Sequence, residues 1–293
     1  MQILALDIGG TAIKAALVNA SGERTMRRES PSEGKRGGPV LMRNARELAA
    51  EYRDFSQIAI SVTGQVNPAD GSIIFANENV PGFTGTKVRD IFAEQFGVPV
   101  SVMNDVNAAA LGEAYFGAAQ DQSDFLCLTY GTGIGGAIVV NRRIYTGSRG
   151  SAGEFGHIVT HPDGLACACG QSGCYEQYAS MSALLRAAKT RGMDQPDGRR
   201  LFSLRADGDE LAHKLVDAWI DEIILGLASL CHIFNPACLI LGGGVMEQTW
   251  LIGEINRRLM PRIMPSFRAL SIRAASLGND AGLMGAAALA LFA

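Results

Sequence analysis

Apolar runs broken by glycine and threonine open this chain and return near its middle. The two stretches are LALDIGGTAIKAALVN at 4–19 and LCLTYGTGIGGAIVVN at 126–141. Each contains an apolar run, a Gly/Thr-rich turn and a second apolar run that ends in Asn, which predicts a β-hairpin whose turn brings backbone N–H groups close to a ligand. An internal repeat of this kind predicts two related domains that face each other across a cleft.

The rest of the chain alternates between strand-like and helix-like patterns. Short apolar runs predict strands at QIAISV (57–62), SIIF (72–75), PVSVM (99–103), ACLIL (237–241) and LSIRAA (270–275). Helical periodicity predicts helices at roughly 40–53, 86–96, 105–116, 180–190, 209–234 and 248–259. The apolar tail AGLMGAAALALFA is too short to span a bilayer and predicts a buried helix. The pattern as a whole predicts an α/β fold.

Composition and charge narrow the class of protein. The 293 residues are 47% hydrophobic and 19% charged, which is enough for two packed cores, and the polar stretch 117–124 predicts the boundary between them. A net charge of -3 without a Lys/Arg block argues against nucleic acid or an anionic membrane as the main partner. The basic stretch 24–36 is diluted by acids, Ser and Gly, and predicts a solvated loop.

Cysteine usage points to metal rather than disulfides. Met1 and Gln2 lead straight into ILALDI with no basic region of a signal peptide, so we expect a cytoplasmic protein. Six cysteines in that compartment are not expected to form a disulfide framework. Three of them, Cys167, Cys169 and Cys174, lie close together in a segment that also holds His157 and His161.

The glycine-rich turns predict a phosphate clamp. Asp7 lies at the end of a buried strand, where a carboxylate needs a cation or a cavity, and Gly9, Gly10 and Thr11 follow with amides suited to phosphate oxygens. A bare hairpin turn is the alternative, and the second copy, GTGIGG at 131–136, counts against it. Together the turns predict a nucleotide triphosphate site with Asp7 near magnesium. A third cluster, LGGGV at 241–245, approaches the nucleotide or is a simple turn.

Asn104 and Asp105 lie where a predicted strand gives way to a predicted helix. An acid there can be a helix N-cap, and without other signals that is the better interpretation of Asp105. Phosphoryl transfer, however, requires a carboxylate that takes the proton from the attacking hydroxyl, and strand ends at a cleft are where such groups lie. Asp105 is therefore the candidate base.

The segment 153–176 predicts a structural zinc site. Three Cys and one His close a tetrahedral shell and leave no open position for water, so the metal would fix a loop. Spacing alone does not decide between His157 and His161 as the fourth ligand. Glu154 and Glu176 flank the cluster and either hydrogen-bond sugar hydroxyls or form a solvated pair.

These stretches together resemble the ROK family (repressors, open reading frames and sugar kinases) of the actin and hexokinase superfamily. The resemblance covers nearly the whole chain and rests on DIGGT (7–11), ENVPGF (78–83), NDVNAAALGE (104–113), TYGTGIGG (129–136), GEFGH (153–157), CACGQSGCYE (167–176), LGGG (241–244) and GNDAGLMGAA (278–287). It implies a two-domain actin/hexokinase-like (ribonuclease H-like) α/β fold with a duplicated β-hairpin and an interdomain cleft. The small N-terminal domain would be 1–117, with a helix at 280–293 packing back on it, and the larger C-terminal domain, with the zinc loop, 118–279.

The resemblance also implies roles for individual residues. Asp105 would be the general base, and the sugar would contact Gly64, Asn79, Asn104, Asp105, Glu154, His157 and Glu176. ATP and Mg²⁺ would lie against Asp7, Gly9, Gly10, Thr11, Lys14, Gly131, Thr132, Gly133 and Gly243. Zinc would be held by His157, Cys167, Cys169 and Cys174, which favours His157 over His161 because its other ring nitrogen would face the sugar.

The function expected from all of this is ATP-dependent phosphorylation of a hexose or N-acetylhexosamine hydroxyl, the one on carbon 6, with a glucose-like sugar favoured. Thr63 and Phe83 depart from glucokinase-like members, which carry Pro and Trp there, so an N-acetylmannosamine kinase is the alternative.

From another class, a sugar-sensing transcriptional regulator would need a DNA-binding segment before the first hairpin, which begins at residue 3. A silent sugar-binding module is disfavoured by Asp7, Asp105 and both turns. The resemblance alone suggests a homodimer, with no nucleic acid or membrane partner.

Overall fold

Strands and helices alternate along the chain in the computed structural model, which describes residues 2–292. The strands are β1 Gln2–Ile8, β2 Ala12–Asn19, β3 Arg24–Pro31, β4 Gln57–Val62, β5 Gln65–Val66, β6 Ile73–Phe75, β7 Val100–Asn104, β8 Phe125–Tyr130, β9 Ile134–Val140, β10 Arg143–Ile144, β11 Cys238–Gly242 and β12 Ser271–Ala274. The helices are α1 Gly38–Ala49, α2 Val88–Phe96, α3 Asp105–Phe116, α4 Glu176–Ala179, α5 Met181–Thr190, α6 Gly198–Ala206, α7 Glu210–Phe234, α8 Thr249–Leu259 and α9 Ala281–Phe292.

The chain forms two compact units. Among the described residues, unit 1 comprises the chain up to Asp124, the segment Ala137–Gly153 and the chain from Ser276 on. Unit 2 comprises Phe125–Gly136 and Glu154–Ala275. The domain boundary that the sequence predicts, between residues 117 and 118, remains a prediction.

Unit 1 is built on a mixed sheet in the order β3–β2–β1–β4–β7. The predicted first hairpin is confirmed, since β1 pairs antiparallel with β2 and sets Asp7 opposite Lys14. β1 then pairs in parallel with β4, and β4 with β7, so the carboxyl ends of β1, β4 and β7 meet at one edge. That edge carries Asp7, Ser61 and Asn104.

Alternation along β1 divides its side chains between two cores. Leu4, Leu6 and Ile8 pack on the face covered by α1 and α2, whereas Ile3 and Ala5 pack on α9. Since side chains of a strand alternate between faces, Asp7 is placed on the α9 side. The C-terminal apolar tail therefore forms the buried helix that the sequence predicted.

α9 packs against α3 through glycines rather than through interlocking side chains. A Cβ added to Gly285 would lie 1.6 Å from the carbonyl oxygen of Ala108, and one added to Gly112 would lie 2.7 Å from that of Ala281. The two backbones therefore approach more closely than any larger residue would permit.

The buried carboxylate of Glu113 ties the end of α3 to the segment that leads into α9. It accepts hydrogen bonds from the backbone N–H groups of Ala118 at 2.6 Å, Ser276 at 2.9 Å and Leu277 at 2.8 Å, and from the Ser276 hydroxyl at 3.0 Å. A fully buried acid is tolerated here because each of its oxygens has partners.

In unit 2, β8 pairs in parallel with β11, and β11 in turn pairs in parallel with β12. The long helix α7 supplies much of the core of this unit. Tyr175 lies across α7, because Gly226 has no side chain to obstruct the ring, and its hydroxyl donates to the Ile223 carbonyl at 2.9 Å. The same hydroxyl is 2.8 Å from that of Tyr130 on β8, so the segment before α4 is fixed to both elements.

Two stretches differ from the sequence prediction. The segment 24–36, predicted to be a solvated loop, forms the exposed strand β3 and a 3₁₀ turn at Gly34–Arg36. That prediction was wrong because β3 is an edge strand: pairing with β2 stabilises it although it buries few side chains. Helix α6 was missed, since its sequence is strongly polar. No helix within residues 2–292 combines the length and the apolar character that crossing a membrane requires.

Candidate functional site

Asp7 lies at the carboxyl end of β1 with partners on three sides. The Ser61 hydroxyl donates to its Oδ1 at 2.8 Å, and the ammonium group of Lys14 lies 3.4 Å from its Oδ2. Lys14 also donates to the Asn279 carbonyl at 2.7 Å, which joins this edge to the start of α9. A Cβ on Gly282 would lie 2.6 Å from Oδ1, so the carboxylate faces bare helix backbone.

The turn after β1 is compact and partly open. Gly9 donates to the Ala12 carbonyl at 3.0 Å, which closes the turn, and Thr11 is exposed. Gly10 is crossed by the backbone at Gly34, where a Cβ would lie 2.5 Å from the Gly10 oxygen. Gly9 and Gly10 are half-buried, and the turn is narrow because both of its glycines lack side chains.

Asn104, not Asp105, caps helix α3. The Asn104 side-chain oxygen accepts from the backbone N–H groups of Val106 at 3.0 Å and Asn107 at 3.2 Å. Its amide nitrogen donates to the Gly64 carbonyl at 3.0 Å, and Gly64 has φ 98°. The interpretation of Asp105 as the N-cap is therefore wrong, because its neighbour already satisfies the free amides of the first turn.

The carboxyl group of Asp105 is held on one oxygen. Oδ1 accepts from the Asn104 amide and from the Val106 N–H, both at 2.9 Å, and no described hydrogen bond engages Oδ2. Although the residue as a whole is half-buried, burial of its carboxyl group, followed by the negative charge of Asp7, raises the pKa of Asp105 to about 6. The hydrogen bonds to Oδ1 oppose this rise without cancelling it.

Asn79 lies in the loop that follows β6. It is exposed, and its backbone N–H donates to the Asn77 side chain at 3.0 Å in a local turn. Gly64 lies beside the start of the same loop, because a Cβ on Gly64 would lie 3.0 Å from the Phe75 carbonyl oxygen. Phe83 is fully buried in the core of unit 1.

In unit 2 the turn between β8 and β9 is closed on a carboxylate. Gly131 donates to the Gly133 carbonyl at 3.0 Å, and Thr132 is exposed. A Cβ on Gly133 would lie 2.6 Å from Oε2 of Glu176, and the same oxygen lies 3.5 Å from the Ile134 N–H. Glu176 therefore lies directly against this turn.

Gly243 brings the third glycine cluster to the same turn. Its φ is 93°, and a Cβ there would lie 2.1 Å from the carbonyl oxygen of Tyr130, the residue before Gly131. Only glycine fits at that distance and in that conformation. The two glycine clusters of unit 2 are thus adjacent.

Four side chains converge on a metal-sized space. One ligand atom from each of His157, Cys167, Cys169 and Cys174 lies within 4.8 Å of the others. The sulfur atoms of Cys169 and Cys174 are 3.5 Å apart, and Nδ1 of His157 is 3.6 Å from the Cys167 sulfur. Tetrahedral zinc with Zn–S of about 2.3 Å sets its ligands roughly 3.6 to 3.8 Å apart, so this set fits zinc.

The two ring nitrogens of His157 face different groups. Its Nδ1 faces the thiols, and its Nε2 lies 4.0 Å from Oε2 of Glu154. His161 is committed elsewhere, because it stacks on Tyr178 with ring centroids 3.8 Å apart and its Nε2 lies 3.4 Å from Glu222. Glu176 adjoins the cluster as well, with its Oε1 3.2 Å from the Cys167 sulfur.

The sequence did not single out two contributors to these sites, Ser61 and Gly282, and it did not predict the capping role of a third, Asn104. Ser61 holds Asp7, Gly282 lets α9 approach it, and Asn104 doubles as cap and amide donor. Ser61 at the end of a strand beside β1 could have been found from the parallel pairing. The role of Gly282 has no local sequence signal.

Comparisons with known proteins match nearly the whole length of this chain to one family. The model of the ROK family matches residues 3–292. A glucokinase of Thermotoga maritima is 31% identical over 308 residues, covering 99% of this chain and 97% of that protein. An N-acetylmannosamine kinase of Haemophilus influenzae is 33% identical over 290 residues, covering 98% and 94%.

A solved structure shows the same relationship in three dimensions. It is that of a ROK family glucokinase from Streptomyces griseus in complex with glucose and AMPPNP, which is 33% identical, covers 99% of both chains and superposes with a TM-score of 0.85.

Proposed function

This chain belongs to the ROK family, and from that premise we propose that it transfers the γ-phosphoryl group of ATP to the carbon 6 hydroxyl of a glucose-like hexose. At the coarser level the chain is an ATP-dependent sugar kinase with the actin/hexokinase-like α/β fold, as its relatives of matching length are. The position of the acceptor hydroxyl, the identity of the sugar and the roles of individual residues are the proposal.

The environment of the Asp105 carboxyl group is the observation that supports the proposal most directly. A general base works best when its pKa lies near the working pH, and the pKa of Asp105 is about 6. Its Oδ1 is fixed by two hydrogen bonds, which leaves Oδ2 to accept the proton of the sugar hydroxyl. In this proposal the carboxylate is not the nucleophile. It orients the sugar hydroxyl for in-line transfer.

We assign the nucleotide to the glycine-rich turns. The proposed contacts are Asp7, Gly9, Gly10, Thr11, Lys14, Gly131, Thr132, Gly133 and Gly243. The amides of these turns suit phosphate oxygens, and Lys14 supplies a positive charge beside Asp7. Magnesium, which would be held near Asp7, supplies neutralisation of the developing charge. Exclusion of water by closure of the site completes the requirements for transfer.

We propose that a set of polar groups contacts the sugar. The proposed contacts are Gly64, Asn79, Asn104, Asp105, Glu154, His157 and Glu176. The Glu154 carboxylate and Nε2 of His157 lie 4.0 Å apart and can share a sugar hydroxyl between them. In unit 1 the Asn104 amide orients the base.

Zinc is proposed as a structural ion. The residues that would hold it are His157, Cys167, Cys169 and Cys174, whose ligand atoms have the required spacing. All four positions would be filled by protein, so the ion would order the segment that carries His157 and Glu176 and take no part in phosphoryl transfer. A cytoplasmic homodimer is the setting we propose, to be tested by sedimentation.

A substrate panel tests the function. We expect ADP release from ATP with one sugar among glucose, N-acetylmannosamine, N-acetylglucosamine, mannose, fructose and allose, with glucose the best by kcat/KM. A preference for N-acetylmannosamine would support the alternative kinase that the relative from Haemophilus influenzae suggests. Release of ADP with none of the six sugars would contradict the proposed reaction.

A further inference from the structure

Unit 2 contains a cavity that the proposed function does not use. It lies between helices α5 and α7 and the segment around Leu165, and its volume is about 530 Å³. That volume falls within the range of about 300 to 1,000 Å³ of small-molecule sites. None of the side chains that we assign to sugar, nucleotide or zinc lines it.

The floor and walls of the cavity are apolar and fixed. Leu184, Leu215 and Trp219 are buried beneath it. The Trp219 indole N–H donates to the carbonyl oxygens of Ala179 at 2.9 Å and Ser180 at 3.0 Å, so the ring is held in one orientation. A rigid aromatic surface of this kind suits a flat or aliphatic ligand body.

One end of the cavity carries a buried acceptor. Glu222 lines it, and Oε1 of this residue lies 3.4 Å from Nε2 of His161. Its Oε2 is buried and has no hydrogen-bond partner in the described structure. An unpaired buried carboxylate oxygen costs free energy, so the Glu222 carboxylate is short of hydrogen-bond donors. Burial also raises the pKa of Glu222.

Three positively charged side chains line the mouth of the cavity. They are Arg186, Arg191 and Lys214, all exposed. The Arg186 guanidinium contacts the Gln177 carbonyl, which fixes one of these charges at the rim. We propose that this cavity binds a small organic anion with an apolar body, whose acidic group meets the cationic rim and whose N–H or O–H group donates to Glu222.

A small molecule fits better than a second copy of this chain. In a two-fold contact the same patch meets itself, so the rim cations of two copies would be brought together and would repel each other. Glu222 also lines the concavity, where a ligand atom reaches a carboxylate group more readily than a flat protein surface does.

Two fluorescent probes that differ in charge test the proposal. The first is 8-anilinonaphthalene-1-sulfonate, which has an aromatic body, an N–H donor and an anionic group. The second, N-phenyl-1-naphthylamine, has the same body and donor without the sulfonate. We expect saturable binding of the sulfonate at one site per chain, with energy transfer from tryptophan that decreases in Trp219→Phe and persists in part through Trp250.

Substitutions separate the parts of the site. The double variant Arg191→Ala/Lys214→Ala should weaken the sulfonate about fivefold and the neutral probe by less than twofold. Lys189→Ala, which removes an exposed cation of α5 that does not line the cavity, is the matched control. Glu222→Leu should weaken both probes, since both lose an acceptor of their N–H group.

Filling the cavity provides the last test. Ala187→Phe places a ring into the opening from the exposed side of α5 and should abolish binding of both probes while the unfolding midpoint stays near that of the unchanged chain. Binding that survives Ala187→Phe, or that is indifferent to the rim cations, would overturn the proposal. So would sedimentation showing a dimer that Ala218→Arg dissociates and that excludes the probes, because the occupant would then be a second copy.

Discussion

The amide nitrogen of Asn104 donates a hydrogen bond of 2.9 Å to Oδ1 of Asp105, while the Asn104 oxygen caps the helix that Asp105 begins. One side chain thus fixes both the helix start and the candidate base. The strand β7, which ends at Asn104, delivers both residues to the edge of the sheet where Asp7 lies.

Asn104→Asp separates the two roles of this side chain. The new carboxylate still accepts from the first-turn amides but replaces the amide donor by a second negative charge. We expect the pKa of Asp105 to rise further, so that the acidic limb of kcat/KM against pH moves upward by about one pH unit. Asn256→Asp, exposed on α8, adds the same charge elsewhere and should leave the profile in place. An unmoved limb in Asn104→Asp would exclude this pair from setting the pH dependence.

Asp105→Asn tests the base itself. The amide keeps the size of the side chain, and the cap on Asn104 is untouched, so sugar binding measured by calorimetry should persist. Turnover should fall by roughly 10² to 10⁴, the usual contribution of general base catalysis. Asp90→Asn, which also removes an acid from a first helical turn, is the control and should retain full activity. Near-normal kcat in Asp105→Asn would assign the role to another group.

The same substitution has a pH-dependent effect on stability. The folded-state pKa of Asp105, about 6, exceeds the ordinary value of 3.8, so ionisation destabilises the folded state. This cost is absent below about pH 4, grows as the pH rises through 6 and is fully present above that. Asp105→Asn should therefore raise the free energy of unfolding by about 1 to 3 kcal/mol at pH 7.5 and by much less near pH 4.

Urea unfolding at the two pH values measures this difference. Asp90→Asn, whose acid is exposed, should show no comparable change between them. A gain of equal size at both pH values would mean that the effect does not come from ionisation of Asp105.

Removal of one thiol tests the metal centre. We expect about one zinc per chain in the purified protein and almost none in Cys174→Ala, measured by plasma mass spectrometry, together with a lowered unfolding midpoint. Cys231→Ala, which removes a buried thiol of α7 away from the cluster, should keep its zinc. Equal zinc content in the two variants would contradict the assignment of Cys174.

Two glycine substitutions in helices should have opposite effects. Gly285→Ala forces α9 away from the Ala108 carbonyl and should cost about 2 to 4 kcal/mol in the free energy of unfolding. Gly253→Ala in α8 meets no atom within 4 Å and should stabilise by about 0.5 to 1 kcal/mol. Urea denaturation compares the two, and a mild effect at Gly285 would mean that α3 and α9 separate easily.

Local signals made much of this molecule predictable. The hairpin at β1–β2, the strand before Asn104 and the cysteine-rich segment carry patterns of short range: alternation, turn residues and ligand spacing. The position of the final helix on the N-terminal sheet was available only through resemblance, because that contact joins residues almost the whole chain apart.

What could not be predicted depends on neighbours in space. β3 has a polar sequence and exists because β2 offers it an edge. The choice of Asn104 over Asp105 as the cap follows from which side chain points back to the amides, and adjacent polar residues give the same sequence signal. The raised pKa of Asp105 arises from burial and from Asp7, which lies far away in the sequence.

The placement of α9 has a consequence for how the chain acquires its shape during synthesis. β1, β4 and β7 leave the ribosome early, yet the helix that covers Ile3, Ala5 and Ala59 emerges only after all of unit 2. Until α9 is synthesised, the apolar face of the nascent sheet that this helix covers stays exposed. The nascent chain should therefore need chaperones for longer when the synthesis of α9 is delayed. Slower codons late in the message should increase the fraction of chains that misfold.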